Sequence, residues 1–328
     1  MTCESTSDEL PFLIGTSICF PCIPERCSVK DVRFSLFRRV NGACLLGSGL
    51  ILASGMVCAQ ESGGSGVIVD PALQSSSADV TQGKAGHQDD KPKYSLGAGL
   101  ATGPRYMGSD ETTTSFAGIF SVEYGPFFLD SMRGLGAQYS TSFGTHLTAA
   151  LAYDPGRGDK RDEGGNYWSS GAKELEGMGR IKTSATINLD LSQDVTDWLA
   201  VNVGGEFAIA GQKHRGNQYT AGLTLRPWMT ETDQVEVSVA ALLGDEDYNQ
   251  TYFGVTPEQA LRSRYGRFNA ESGIYASSVG VSWMHMIDEH WSTLAAGEYQ
   301  QFSSKIKKSP IVRDNSGVTA VVGVSYTF

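Results

Sequence analysis

"SGVTAVVGVSYTF", residues 316–328, alternates with period two through to a final aromatic. Val318, Ala320, Val322, Val324, Tyr326 and Phe328 fall on one face of an extended strand. Thr319, Val321, Gly323, Ser325 and Thr327 fall on the other. A strand that keeps its pattern to its last residue points to a sheet that closes on itself. In hydrocarbon an unpaired backbone N–H or C=O finds no water, so a spanning sheet tolerates no edge. The last strand is then expected to pair with the first.

The same alternation recurs upstream. Ile181, Thr183, Ala185, Ile187, Leu189 and Leu191 interleave with Lys182, Ser184, Thr186, Asn188 and Asp190. Comparable runs cover Leu199–Ile209, Tyr219–Leu225 and Val235–Leu243. Each is close to the length a tilted strand needs to cross a bilayer, about 9–11 residues. No sustained helical period appears. The pattern predicts strands at 94–103, 113–123, 126–132, 135–141, 146–153, 180–191, 198–210, 217–226, 235–243, 272–285, 291–302 and 318–328. That is an all-β, transmembrane, antiparallel up-and-down β-barrel of about 12 strands, with 10 as the alternative because the third, fourth and tenth runs alternate poorly.

Loop lengths sort by parity. The inner turns 124–125, 142–145, 192–197, 227–234 and 286–290 are short. The outer connections are 104–112, 133–134, 154–179, 211–217, 244–271 and 303–317, and every long one falls on this side. Short periplasmic turns with longer outer loops are the pattern of outer-membrane barrels. Trp198, Trp228, Trp291, Tyr124, Phe127 and Phe328 lie at the inner strand ends, where amphipathic rings form a girdle at the lipid boundary.

Composition agrees. The 328 residues carry a net charge of −10, which disfavours nucleic acid as partner. Mean hydropathy is −0.20, too polar for a bundle of membrane helices but suited to strands that are half polar. All six cysteines lie before residue 60. Residues 1–59 read as an N-terminal extension and a cleaved signal peptide: Lys30, Arg33, Arg38 and Arg39, then the apolar run Ala43–Met56, then Val57-Cys58-Ala59 before a cut at Gln60. A lipoprotein cut before Cys58 is the alternative. Residues 60–93, rich in Gly, Ser, Gln and Asp, read as a flexible periplasmic linker ahead of the barrel at 94–328.

Several residue sets stand out within the barrel. Lys182, Glu206, Arg226, Glu236 and Glu298 lie on polar strand faces and are expected in the lumen, either as a selecting constriction or as mutually paired filling. In "YFGVTPEQALR", Thr256 is an N-cap, Pro257 opens a helix and Gln259 completes a capping box. This predicts a short outer-loop helix over Pro257–Arg262, which serves as a plug or orders its loop. Asp154, Asp159, Asp162 and Glu163 are acidic neighbours in a glycine-rich loop without EF-hand register. No metal or cofactor is therefore expected. His87, His146, His214, His285 and His290 stand beside no G-x-S-x-G, H-E-x-x-H or P-loop, so the reading is non-enzymatic.

"PRYMGSD" at 104–110, "YGPFFLDSMRGLG" at 124–136, "YFGVTPEQA" at 252–260 and "SPIV" at 309–312 resemble the MltA-interacting protein (MipA/OmpV) family of outer-membrane proteins. The candidate plug motif spans Tyr252, Phe253, Gly254, Thr256, Pro257 and Gln259. The resemblance implies a barrel in the Gram-negative outer membrane, in contact with its lipid. Val324, Tyr326 and Phe328 resemble the C-terminal signal read by the barrel-assembly machinery. For the namesake it implies scaffolding between a lytic transglycosylase and a peptidoglycan synthase, and other members resemble outer-membrane antigens or porin-like proteins; the alternative reading for this chain is a narrow porin or small-solute transporter. A scaffold contact is expected to use the linker and the turn at 227–234.

Overall fold

A computed structural model describes residues 91–160 and 171–328. Twelve strands follow one another: β1 (Lys93–Pro104), β2 (Thr112–Tyr124), β3 (Phe127–Asp130), β4 (Gly134–Ser140), β5 (Thr145–Asp154), β6 (Ser184–Thr196), β7 (Leu199–Gly211), β8 (Gln218–Met229), β9 (Asp233–Gly244), β10 (Gly273–Met286), β11 (Trp291–Phe302) and β12 (Ser316–Thr327). Each pairs antiparallel with its chain neighbours, and β12 returns to β1 to close the barrel. The seam runs from Ser95 opposite Thr327 to Thr102 opposite Ala320. The count is twelve and not ten, because the three poorly alternating runs are strands. The signal-peptide and linker readings fall on residues 1–90, outside the described residues.

Period two sorts the faces. Leu96, Leu100, Phe116, Leu189, Leu191, Val201, Val203, Leu223, Val239, Val279 and Val322 are exposed on the outer wall. Their chain neighbours, among them Ser115, Thr186, Ala200, Thr224, Ser238, Ser278 and Ser282, are buried on the lumen side. This inversion, greasy outside and polar inside, is the mark of a barrel whose solvent is lipid. Tyr124, Phe127, Trp198, Trp228, Trp291 and Phe328 are all exposed at the inner end.

The inner connections are tight. Gly125, at φ 57, takes the left-handed conformation in the two-residue turn between β2 and β3. The outer connections build a cap. It contains α1 (Glu246–Phe253) and α2 (Pro257–Arg262), with single-turn 3-10 helices at Lys173–Leu175 and Ile306–Lys308. The helix at Pro257–Arg262 has both halves of its capping box. Three strand boundaries depart from expectation by three residues or more. β6 runs on to Thr196 and β8 to Met229, so the inner turns expected at 192–197 and 227–234 shrink to 197–198 and 230–232, because the ladders continue through residues of weaker alternation. The third is the start of β6. Alternation through Ile181 predicts a strand from 180, but β6 starts at Ser184. Ile181 instead pairs with Arg157 across the loop and packs into the cap's apolar core.

Candidate functional site

Polar side chains line the lumen in layers along the wall from β5 to β9. Near the inner end, the Arg226 guanidinium reaches Asp194 at 2.8 Å and Glu236 at 3.3 Å. His146 contacts the other oxygen of Asp194 at 3.1 Å, and Gln234 donates to Glu236 at 3.1 Å. Arg226 on β8 reaches Asp194 on β6 over Ala200 of β7, which is fully buried. A larger residue at Ala200 would block that crossing. Above this layer, Ser192, Asn202 and Thr224 form a hydrogen-bonded row across three strands.

A second ion cluster stands at the outer end. Arg215, in the loop between β7 and β8, is 0 % exposed. Its guanidinium meets Asp154 at 2.9 Å and also contacts Glu206. It lies 5.7 Å over the Tyr248 ring. The Tyr252 hydroxyl donates to Asp154, while Tyr248 and Tyr275 both donate to Gln218, at 2.9 and 3.1 Å. Burial opposes charge on Arg215, but Tyr252, Asp154 and Glu206 outweigh it and hold the proton more tightly than usual. Burial, and after it the neighbouring carboxylates, push the Tyr248 and Tyr252 phenols well above their ordinary value. These hydroxyls are donors throughout the physiological range.

The cap over this cluster has its own apolar core. Asp245 caps α1 by accepting from the Tyr248 amide at 2.8 Å, and the helix turns Tyr248, Tyr252 and Phe253 inward. These pack with Leu242, Tyr275, Phe302 and Ile306. A second cluster joins Tyr106, Leu175, Met178, Val255, Tyr265 and Ile311 from four different outer loops. Two polar ties bind it: Arg157 donates to the Tyr252 carbonyl at 2.9 Å, and Ser309 to that of Phe253 at 2.5 Å. Below the cap sits a cavity of about 50 Å³, bordered by Tyr106, Gln218, Tyr248, Tyr275 and Glu298.

The residues anticipated from sequence divide accordingly. Arg226 and Glu236 meet in the inner layer, Glu206 joins Arg215 in the outer one, and Glu298 is buried beside the cavity. Lys182 is a correction: it lies in the loop before β6 and is exposed, because the chain leaves the wall at Ser184. Of the plug motif, Tyr252 and Phe253 belong to α1 and are buried, and Gly254 is its C-cap. Thr256, Pro257 and Gln259 form the start of α2, which has no buried residue. The buried helix is thus α1, and α2 lies outside it, tied to the cap by Gln259, which donates to the Met178 carbonyl at 2.7 Å. Val324 and Tyr326 lie on the outer wall, and the Tyr326 ring packs against Trp291 at 5.0 Å and Phe328 at 4.9 Å. Asp154 is engaged by Arg215, while Asp162 and Glu163 lie outside the described residues. Arg215, Asp194, His146 and Arg157 were not legible as a set, since each pairs across non-neighbouring segments.

A closed twelve-stranded sheet with an apolar outer wall, an ion-paired lumen and a capped outer mouth defines an outer-membrane β-barrel. The family model for "MltA-interacting protein MipA" matches residues 96–328, and the chain belongs to that family. It is 25% identical over 252 residues to "Putative outer membrane protein YiaT" of Escherichia coli strain K12, covering 72% of this chain and 91% of that one. It is 21% identical over 241 residues to the "24 kDa outer membrane protein" of Pasteurella multocida, covering 71% and 90%. Among solved structures it is similar to the translocator domain of the autotransporter NalP from Neisseria meningitidis, with TM-score 0.41, 13% identity and coverage of 78% and 93%. It is also similar to the COG4313 outer membrane channel from Pseudomonas putida F1, with TM-score 0.41, 11% identity and coverage of 75% and 100%.

Proposed function

We propose that this protein is a non-catalytic outer-membrane anchor that holds peptidoglycan-remodelling enzymes, a lytic transglycosylase and its synthase partner, at the inner face of the membrane. The observation that carries the reading is how the lumen is filled. Two ion-pair clusters fill the lumen along the wall from β5 to β9 and an apolar cap stands over the outer mouth, which suits an anchor better than an open pore. The family's description names an interaction partner. The inner rim also supports docking. Its turns hold Asp197, Glu231, Asp288 and Glu289 and no lysine or arginine, so a basic partner face would be attracted.

These turns are short, and a stable interface buries about 800 Å² on each partner. Residues 60–90 are therefore assigned a share of the contact. The test is pull-down of a lytic transglycosylase by the full chain, by a chain lacking residues 60–90, and by Asp197→Lys/Glu231→Lys/Glu289→Lys. Binding should fall at least tenfold in each variant and weaken as salt rises. Undiminished capture by both variants would reject the anchor.

The second reading is a narrow solute passage. It is favoured by the small lumen side chains of one wall, Gly97, Gly99 and Ala101 on β1 with Gly323 and Ser325 on β12. Planar-bilayer recording separates the two: the anchor is electrically silent, whereas steady conductance altered by Arg226→Ala identifies a pore.

A further inference from the structure

The wall of the barrel is not of even height. Ten strands have 10 to 14 residues, but β3 has four and β4 has seven. Their shortfall is all at the outer end. Strand β2 pairs with β1 along its whole length, from Thr112 to Glu123. It pairs with β3 only from Ser121 to Tyr124. On the far side, β4 leaves β5 at Leu151, short of Tyr153 and Asp154. The wall therefore drops between β2 and β5: residues 112–120 of β2 and 152–154 of β5 extend beyond their registered pairs with β3 and β4.

The direction of the free edge follows from hydrogen bonding. The Phe120 carbonyl accepts from the Ser131 amide at 3.0 Å, and the Phe120 amide donates to the Ser131 hydroxyl at 3.2 Å. Phe120 thus points its backbone groups toward β3, and by the alternation of a ladder so do Gly118 and Phe116. Among the described residues no strand is registered against those two.

The notch lies at the depth of the apolar band. Phe116 and Phe120 border it on β2, Leu129 and Leu135 form its sill, and Leu151 and Tyr153 stand on β5, all exposed on the outer wall. Backbone donors and acceptors left open in hydrocarbon demand hydrogen-bonding partners. A plain acyl chain supplies none. A molecule with an apolar tail and a hydrogen-bonding head satisfies both the rim and the edge. Meanwhile the described residues of the outer loops pack an apolar cap over the axial mouth.

We propose that the notch between β2 and β5 is a lateral site through which an acylated amphiphile of the outer leaflet reaches the lumen. Its tail lies along Phe116, Phe120 and Leu135, and its head meets the amide and carbonyl of Gly118. This goes beyond anchoring of cell-wall enzymes, and its test uses no such partner.

The test is site-directed fluorescence quenching in the full chain, with its six native cysteines changed to serine. Bimane is attached at Ala117→Cys, which faces the lumen behind the notch, at Ser121→Cys, which faces it level with the sill, and at Thr220→Cys, on the full-height strand β8. Each protein is reconstituted in vesicles of phosphatidylcholine and phosphatidylethanolamine containing doxyl-labelled phosphatidylethanolamine, whose ammonium donates and whose phosphate accepts. Heat-modifiable gel migration verifies that each barrel has folded, and Ile119→Cys substitutes if Ala117→Cys fails. The label at 117 should be quenched at least threefold more than those at 121 and 220. Equal quenching at all three positions, or equal quenching at 117 and 121, would overturn the proposal.

Discussion

Arg215 shows what one residue does in this lumen. It is the cation shared by Asp154 and Glu206, with Tyr248 and Tyr252 closing over it. Removing one partner of a buried ion pair costs about 3–5 kcal/mol, because the carboxylates it leaves stay buried and uncompensated. Arg215→Met is therefore expected to lower the urea midpoint of unfolding by that equivalent. Arg215→Lys should recover only part of it, since a point charge cannot serve two carboxylates and a carbonyl in one plane. Sequence alone did not mark Arg215. Its partners lie on β5 and β7 and in α1, and no local spacing encodes that meeting. Glu206 was marked, because alternation placed it on the polar face. At the inner rim, backbone amides of Trp291 and His290 hold the Asp288 carboxyl below the usual range. A carboxyl whose folded value is depressed stabilises above its unfolded value, about 3.9, and loses that contribution as pH falls through the folded one. The protection factor of the Trp291 amide, its exchange rate relative to the intrinsic rate at each pH, should fall on acidification through that window, and Asp288→Ala should abolish that change in protection.

At the scale of elements, α1 and α2 carry different loads. The Thr256-Pro257-Gln259 signature located α2 correctly, because capping chemistry is local. It did not reveal that α2 would be exposed, with Leu261 89% accessible, while α1 is buried at the mouth. Asp245 followed by Glu246 and Asp247 was the available signal for α1. Thr256→Ala should cost about 1 kcal/mol and show as faster amide exchange confined to Pro257–Arg262. Phe253→Ala removes a ring packed against Tyr275 and Phe302, for about 3–5 kcal/mol, and unseats the cap. Proteolysis of the intact barrel should then cut within 245–272, where the wild-type cap resists. If Thr256→Ala opened the cap as fully as Phe253→Ala, the division of labour between the helices would be wrong.

For the whole molecule the decisive contact is the seam between β1 and β12. Gly97 lies where a Cβ would stand 2.5 Å from the Val324 carbonyl oxygen, so any side chain there forces the strands apart. Gly97→Val should sharply reduce the compact, heat-modifiable species in detergent gels. Gly118→Val, at the open edge of β2, should leave that species intact.

The sequence by itself determined the class of sheet, its sidedness and its closure, because these follow from side-chain alternation, loop length and the intolerance of hydrocarbon for an open edge, and all three can be read along one strand at a time. Which cations meet which carboxylates, and that α1 is buried at the mouth while α2 is exposed, were decided only in three dimensions, whereas the shortness of β3 and β4 was already legible in the seven-residue runs 126–132 and 135–141. The reach of Arg226 over Ala200 to Asp194, and of Arg215 to both Asp154 and Glu206, depends on how the strands are staggered around the circumference. That stagger accumulates over all twelve pairings and belongs to none of them alone.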